Sequence, residues 1–353
     1  DHYLDVDYDL SKVFFVCTAN TLQGIPPALQ DRLEIIKLPG YTEEEKMAIA
    51  RRYLVPKQMS ANGLSEEQIL ITEEAVERTV REYTRESGVR SLDREVAKIC
   101  RKVAKRVVTS KPEHAVRVTA DNLAEVLGTP KYNHKQIEDK DQIGSVKGMA
   151  VTPWGGELLD IEVVVVPGSG KLILTGRLGD WLKESAQAGF SYVRSRAESL
   201  GLDKDFHEKW DFHVHYPGNS LKTDGPSAGI AMATAMVSAL TGHPVRRDLA
   251  MTGEISLRGR VLPIGGLKEK SLAAMRGEMK HVLLPIENEK DLQDIPEQVL
   301  GAMEFTPVSH LDEVLGLALR PQDGRPLFRS IPKEAPEMEE SGSAAERAAP
   351  REH

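Results

Sequence analysis

Hydrophobic rhythm divides the 353 residues into stretches of different character. Lys12-Val13-Phe14-Phe15-Val16-Cys17 is an apolar run rich in aromatic and β-branched residues. With the polar Thr18-Ala19-Asn20 behind it, the run predicts a buried strand ending in a loop. Glu34-Ile35-Ile36-Lys37-Leu38 could pair beside it, and the character changes at Gly40. From Thr42 to about Gly128 the pattern is helical. Thr42-Glu43-Glu44-Glu45 has the spacing of a capping box, Thr72-Glu73-Glu74 opens another helix, and a third is predicted from Val89 through Val108. A short alternation, Ala115 to Thr119, leads into Asp121 to Leu127, so 41–128 reads as a small helical domain. The polar stretch 129–146 suits a linker.

Strands and helices then alternate: Leu158 to Val166, Trp181 to Leu200, Asp211 to Tyr216, Pro226 to Leu240, Leu249 to Leu262, Leu267 to Gly277, His281 to Pro285, and a last apolar piece around Val308. This predicts a mixed α/β or α+β domain over 147–325, and a multidomain chain of α/β and α+β character overall. From Ser330 on, the chain is rich in Glu, Ala, Pro and Ser without aromatics, so 326–353 is expected to be a disordered tail.

Composition narrows the function. A net charge of −8 with interspersed signs gives no general case for a nucleic-acid binder. Two cysteines, Cys17 and Cys100, are too few for a disulfide framework or a cysteine-based zinc site, which points to a reducing compartment. No run of 18 apolar residues exists and the first residues lack the regions of a signal peptide, so a cytoplasmic protein away from membranes is expected. The chain starts on Asp1 rather than Met and reads as a piece of a longer one.

The densest chemistry lies in Thr223-Asp224-Gly225-Pro226-Ser227-Ala228-Gly229, followed by the apolar Ile230 to Leu240. A helix apolar nearly all round is buried, and Pro226 suits its first position. Ser227 is then expected in the first turn, where free N–H groups and the helix dipole stabilise a negative oxygen. The flanking glycines would let a substrate backbone approach. The plainer reading is that Ser227 caps the helix. A second stretch carries two lysines whose plain reading is a solvated surface: Met251-Thr252-Gly253-Glu254-Ile255, then Gly265-Gly266-Leu267-Lys268-Glu269-Lys270. Helical spacing leaves Lys268 and Lys270 equally placed for partial burial. A rival is a triad of Ser227, His213 or His215, and Asp224, because Asp211-Phe212-His213-Val214-His215 puts both imidazoles on one strand face. The same pair could bind zinc, but no third ligand is evident, so no metal site is expected.

Together the two stretches closely resemble the Lon proteases, whose signature is a serine in Asp-Gly-Pro-Ser-Ala-Gly and a lysine in a following Gly-Gly-Leu-Lys-Glu-Lys. The resemblance covers nearly the whole chain except the tail. It implies an AAA+ helical lid followed by a mixed α/β protease domain, with Ser227 as nucleophile and Lys270 as base. Thr252 would hold the Lys270 amine, while Gly225, Asp224 and His215 support or line the site. The implied function is an endopeptidase acting on unfolded or misfolded proteins, in a hexameric ring of the family type, driven by ATP with magnesium. Peptide cleavage itself would need no cofactor.

Val13 to Asn20, Asp31 to Glu34 and Gly88 to Leu92 resemble the closing elements of an AAA+ module, so 1–40 would be the end of its α/β core. Asn20 would sense the γ-phosphate, Arg32 reach a neighbouring subunit, and Arg90 act as the second sensor. The phosphate-binding Gly-x-x-x-x-Gly-Lys-Ser/Thr is missing; Gly168-Ser169-Gly170-Lys171-Leu172 lacks its first glycine and its hydroxyl. This chain is therefore expected to cut peptides without hydrolysing ATP. Two other readings stay open: a silent peptide-binding or assembly module, and weak DNA binding through the basic helix bearing Arg90, Arg94, Lys98, Arg101, Lys102, Lys105 and Arg106.

Overall fold

A computed structural model describes residues 7, 9–19, 24–36, 38, 40–132, 140–152, 155–217, 224–321 and 327–328. It divides into two units, Asp1–Pro39 and Gly40–His353. Among the described residues of the first unit the one regular element is α1 (Pro27–Gln30), and Phe14 is 89% exposed. Among the described residues the strands expected at Lys12 to Cys17 and Glu34 to Leu38 are not formed. Apolar sequence alone does not make a strand, because its N–H and C=O groups need a partner edge.

The second unit opens with the expected capping box. Glu45 N donates to Thr42 Oγ1 (3.1 Å) and Thr42 N to Glu45 Oε2 (2.7 Å), starting α2 (Glu43–Ile49). A wide π-helical turn (Ala50–Leu54) carries it into α3 (Val55–Ala61), beside Pro56, which has no N–H to give. β1 (Ile69–Ile71) precedes α4 (Glu73–Arg78), whose cap Thr72 accepts from Ala75 N, and a second π turn (Thr79–Tyr83) ends it. The long α5 (Arg90–Ser110) then buries Leu92, Val96, Ile99 and Val103, one face at helical spacing, against Ala50, Leu64 and Tyr83. β2 (Val116–Val118) pairs parallel with β1, and α6 (Leu123–Leu127) closes this core with Leu123 and Leu127.

Then comes a seven-stranded mixed sheet. In chain order its elements are β3 (Ser145–Thr152), β4 (Gly155–Pro167), β5 (Leu172–Thr175), α7 (Asp180–Ser195), α8 (Phe206–Lys209) and β6 (Trp210–His215). A single 3-10 turn (Pro226–Ala228) leads into α9 (Gly229–Thr241) and β7 (Leu249–Met251). A small hairpin of β8 (Glu254–Ile255) and β9 (Val261–Leu262) precedes α10 (Leu267–Arg276) and β10 (His281–Pro285). A 3-10 stretch (Ile286–Asp294), α11 (Glu297–Ala302), β11 (Glu304–Val308) and α12 (Leu311–Ala318) complete it. The sheet order is β11-β10-β7-β3-β4-β6-β5, parallel from β11 to β3, with β4 antiparallel to both β3 and β6.

Strand alternation separates two cores. Val146, Ile161, Phe212, Val214 and Leu283 point to the face covered by α7, α9 and α12, while Met149, Ala250, Val282 and Leu284 point to α10 and α11. The sheet, α7 and α12 together enclose α9, which is buried from Gly229 to Ser238.

Several expectations need correction. The end of the expected linker belongs to the sheet: Val146 is buried in β3, and Gly144 N donates to Ser238 Oγ (2.9 Å). In the same strand Lys147 is buried by pairing with Asp160 across the β3–β4 ladder. Leu249 to Leu262 is not one strand but β7 and the β8–β9 hairpin. Leu327 is buried and Phe328 packs on the same core, so the first described residues of the expected tail are folded. The remainder of that tail, like Asn20, lies outside the described residues.

Candidate active site

Ser227 sits in the 3-10 turn that delivers the chain into α9. Gly225 before it has φ +131°, a conformation open to glycine and strained for side chains, and nothing lies within 4 Å of where a Cβ would be. Gly229 behind it is different. A Cβ there would meet Ile255 Cγ2 at 2.8 Å, so this glycine serves the packing of α9 on β8, not the approach of a substrate. Neither the 3-10 turn nor α9 has a side-chain cap, so the capping role considered for Ser227 is not seen. Among the described residues its hydroxyl makes no hydrogen bond, and Ser227 is half-buried.

The strand end after β7 holds this turn in place. Gly253 N donates to Ser227 O (2.8 Å), Ile230 N donates to Gly253 O (3.2 Å), and Thr252 N donates to Leu283 O (3.0 Å). Thr252 is 0% exposed, and its hydroxyl donates to Ser227 O at 3.2 Å. The same hydroxyl accepts from Lys270 Nζ at 3.1 Å. One threonine therefore ties the serine turn to the lysine.

Lys270 is 2% exposed, whereas Lys268 is half-buried, which resolves the ambiguity left by helical spacing. Burial drives the Lys270 amine down from the ordinary 10.5 to about 8, with the Glu269 carboxylate pulling weakly the other way. A neutral amine is then well populated just above neutrality. The first turn of α10 is seated on β4: a Cβ on Gly156 would lie 1.8 Å from Glu269 O. Arg276 at the far end of α10 donates to Gly156 O (2.7 Å).

Asp224 and the histidines do not join this group. The Asp224 carboxylate accepts from Gly225 N (3.0 Å) and from Trp181 N (3.1 Å), capping α7, whose own N-cap is Gly179. A Cβ on Gly179 would strike that carboxylate at 2.0 Å. His213 and His215 share a strand face as expected, but Thr175 Oγ1 lies 2.8 Å from His213 Nε2 and 2.7 Å from His215 Nδ1. The triad is thus replaced by two separate uses of its members. Among the described residues no group of three His, Cys, Asp or Glu side chains could hold a metal ion.

The remaining candidates are dispersed. Arg90 is the exposed first residue of α5, and Arg32 is exposed in the first unit. The turn Gly168 to Lys171 is a nest with a tenant: Ser169 N and Lys171 N donate to Asp211 Oδ1 at 2.7 and 2.8 Å, which holds that carboxyl below its ordinary value. With those amides taken, it offers no cradle for a phosphate. Sequence reasoning missed Ser185, whose hydroxyl donates to Pro226 O (3.2 Å), and Trp181 beside Asp224. Only the pairing of α7 with the serine turn could have revealed them.

A serine on a glycine-entered turn, tied through one threonine to a buried lysine on a mixed α/β sheet, defines the scaffold of a serine peptidase. Comparison makes the assignment specific. The profile of the Lon protease C-terminal proteolytic domain matches residues 117–321, and that of the Lon protease AAA+ ATPase lid domain matches residues 60–116. The chain belongs to the Lon protease family. It is 56% identical over 328 residues to Lon protease 1 of Syntrophobacter fumaroxidans, covering 93% of this chain and 40% of that protein. It is 57% identical over 319 residues to Lon protease of Bacillus thuringiensis, covering 90% and 40%. With Lon protease of Nitratidesulfovibrio vulgaris the figures are 53% over 345 residues, 95% and 42%. The chain thus spans about 40% of the length of the curated relatives it matches. The boundary between the two profiles falls inside β2, although Val118 and Leu123 pack with the helical core. Among the described residues no helix is long and apolar enough to cross a membrane.

Proposed function

We propose that this chain is a serine endopeptidase working through a Ser227–Lys270 dyad, and the observation that carries the reading is Thr252 bridging the Ser227 carbonyl and the buried Lys270 amine. The neutral Lys270 amine takes the Ser227 proton as Oγ attacks the peptide carbonyl. The developing oxyanion lies at the N-terminal end of α9, where helix N–H groups and the dipole favour negative charge. Lys270, now ammonium, protonates the leaving amine; the acyl-enzyme is then cleared by water. Gly225 gives the turn its entry angle, Asp224 fastens it to α7, and His215 stays on its own strand with Thr175.

In the whole enzyme we expect unfolded or misfolded proteins as substrates, delivered by ATP-driven unfolding in a hexameric ring in the cytoplasm, in the service of protein quality control. ATP with magnesium would serve that motor, with Asn20, Arg32 and Arg90 facing nucleotide; hydrolysis of the peptide bond uses no cofactor. The test is cleavage of unfolded casein by the chain and by folded Ser227→Ala and Lys270→Ala variants, together with labelling by a covalent serine probe. Loss of cleavage in both variants and labelling that requires Ser227 are expected. Cleavage surviving in Ser227→Ala would overturn the assignment, and a folded wild type that takes no probe would favour a silent peptide-binding or assembly module.

A second reading has its own observation. On α5, Arg94, Arg101, Lys102, Lys105 and Arg106 are all exposed, the arrangement a phosphate backbone would meet. A salt-dependent shift of labelled duplex DNA would support weak binding there; no shift at low salt would dismiss it.

A further inference from the structure

We propose that Trp181 is a specificity-determining residue whose indole forms one wall of a subsite for an apolar side chain of the peptide cut at Ser227. The inference rests on the peptidase reading and adds a substrate contact to it.

Trp181 is 60% exposed at the second position of α7. Its backbone is not free to drift, because its N–H is held by Asp224, three residues before the nucleophile. One helical turn along the same face, Ser185 Oγ donates to Pro226 O, the residue next to Ser227. This row of α7 therefore faces the serine turn. Helical side chains lean toward the N-terminus, which carries the indole away from Ser185 and toward the end of α7 that Asp224 caps. Among the described residues nothing lies within 4 Å of where a Gly225 Cβ would be. The result is a large, rigid apolar surface in solvent, beside a gap, at the mouth of the serine turn.

Two further features favour a substrate contact over incidental exposure. Leu182 is buried, so α7 is anchored without help from Trp181. An indole also loses little entropy when a ligand packs on it, having only two side-chain torsions, which is why tryptophan recurs as a binding anchor. Among the described residues Asp180 is paired with Lys183 (2.9 Å), and Asp224 is already engaged with backbone N–H groups, so neither carboxylate is left to hold a charged side chain. The wall suits leucine- or phenylalanine-like side chains exposed by unfolded chains better than charged ones.

The experiment uses two fluorogenic peptides that differ only in having leucine or serine before the cleaved bond, with wild type, Trp181→Ala and Trp181→Phe. For the leucine peptide, Trp181→Ala is expected to raise KM roughly tenfold with kcat within about twofold, and Trp181→Phe to restore most of the affinity. The serine peptide should be insensitive. An equal change for both peptides, or a fall in kcat at constant KM, would overturn the proposal by making Trp181 a scaffold residue.

Binding alone gives an independent reading. In a Trp154→Phe, Trp210→Phe, Ser227→Ala background, Trp181 is the one tryptophan of the three that remains. Its emission should shift to the blue and saturate with the leucine peptide and stay put with the serine peptide. No shift would overturn the subsite even in an active enzyme. A saturable shift in a protein whose wild type cuts neither peptide would keep the subsite and sink the catalytic reading.

Discussion

Two glycine-rich turns of the same domain invite the same interpretation and meet opposite fates. Gly168 to Lys171, between β4 and β5, and Gly225 to Ala228, before α9, both present backbone amides and a serine to their surroundings. In the first, Asp211 arrives from β6 and takes two amides, closing the nest. In the second, Asp224 turns its carboxylate toward Gly225 and the start of α7. That leaves the Ser227 hydroxyl uncommitted among the described residues, while Thr252 brings a buried lysine to its back. A polar turn becomes a site when its neighbours supply reactivity and leave room. It becomes mere structure when a neighbour supplies the missing counter-charge.

The sharpest way to break this contrast is to remove the reactive partners of the second turn. Ser227→Ala and Lys270→Met should each lower peptide cleavage by on the order of 10³-fold or more, and nearly as much together as singly, because the pair acts as a unit. Lys268→Met, two residues away but half-buried, should stay within about twofold of wild type. Initial rates on one peptide decide both.

Thr252→Val comes next. It removes the acceptor for the Lys270 amine and the donor to Ser227 O, and kcat should fall on the order of 10²-fold. The wild-type rate should rise tenfold per pH unit up to about 8 and level off above it, as the neutral amine becomes the main form. Losing an acceptor that favours the ammonium form should move that limb of the Thr252→Val profile to lower pH.

The lysine also leaves a signature in stability. Its folded value is lowered from 10.5 to about 8, so between those pH values the unfolded chain binds more protons and stability rises with pH. Below about pH 8 the full cost of the buried amine is present. Lys270→Met should therefore stabilise the protein at pH 7, by up to about 3 kcal/mol, while abolishing cleavage. Denaturant melts at pH 7 and 10.5 test this: the gain should shrink at the higher pH.

The smallest effect belongs to the first turn. Asp211→Ala hands two exposed amides of the Gly168 to Lys171 turn over to water and should lower the melting temperature only slightly, with kcat unchanged. A matching loss of kcat would mean that the two turns are linked, not separate.

Much of this was open to reading along the chain. Thr42 with Glu45 and Thr72 with Ala75 cap their helices as their spacing predicts, since a cap is settled within four residues. The nearly all-apolar character of Ile230 to Leu240 required a buried helix, while Pro226, expected at its first position, opens the 3-10 turn that precedes it. The two signature stretches carried Ser227, Thr252 and Lys270 through likeness to a family. Other features depended on contacts distant in sequence: Lys147 in a buried strand needed Asp160, and the strand expected at Val13 needed a partner edge that is not found among the described residues. Only the packed α10 decided between Lys268 and Lys270, because two lysines two residues apart differ by which side of the helix meets β4 and Thr252. Only the sheet register placed His213 and His215 against Thr175 and away from a triad. Residue type and spacing fix what a segment can form by itself. Burial, which sets the lysine's charge, belongs to the packed elements alone.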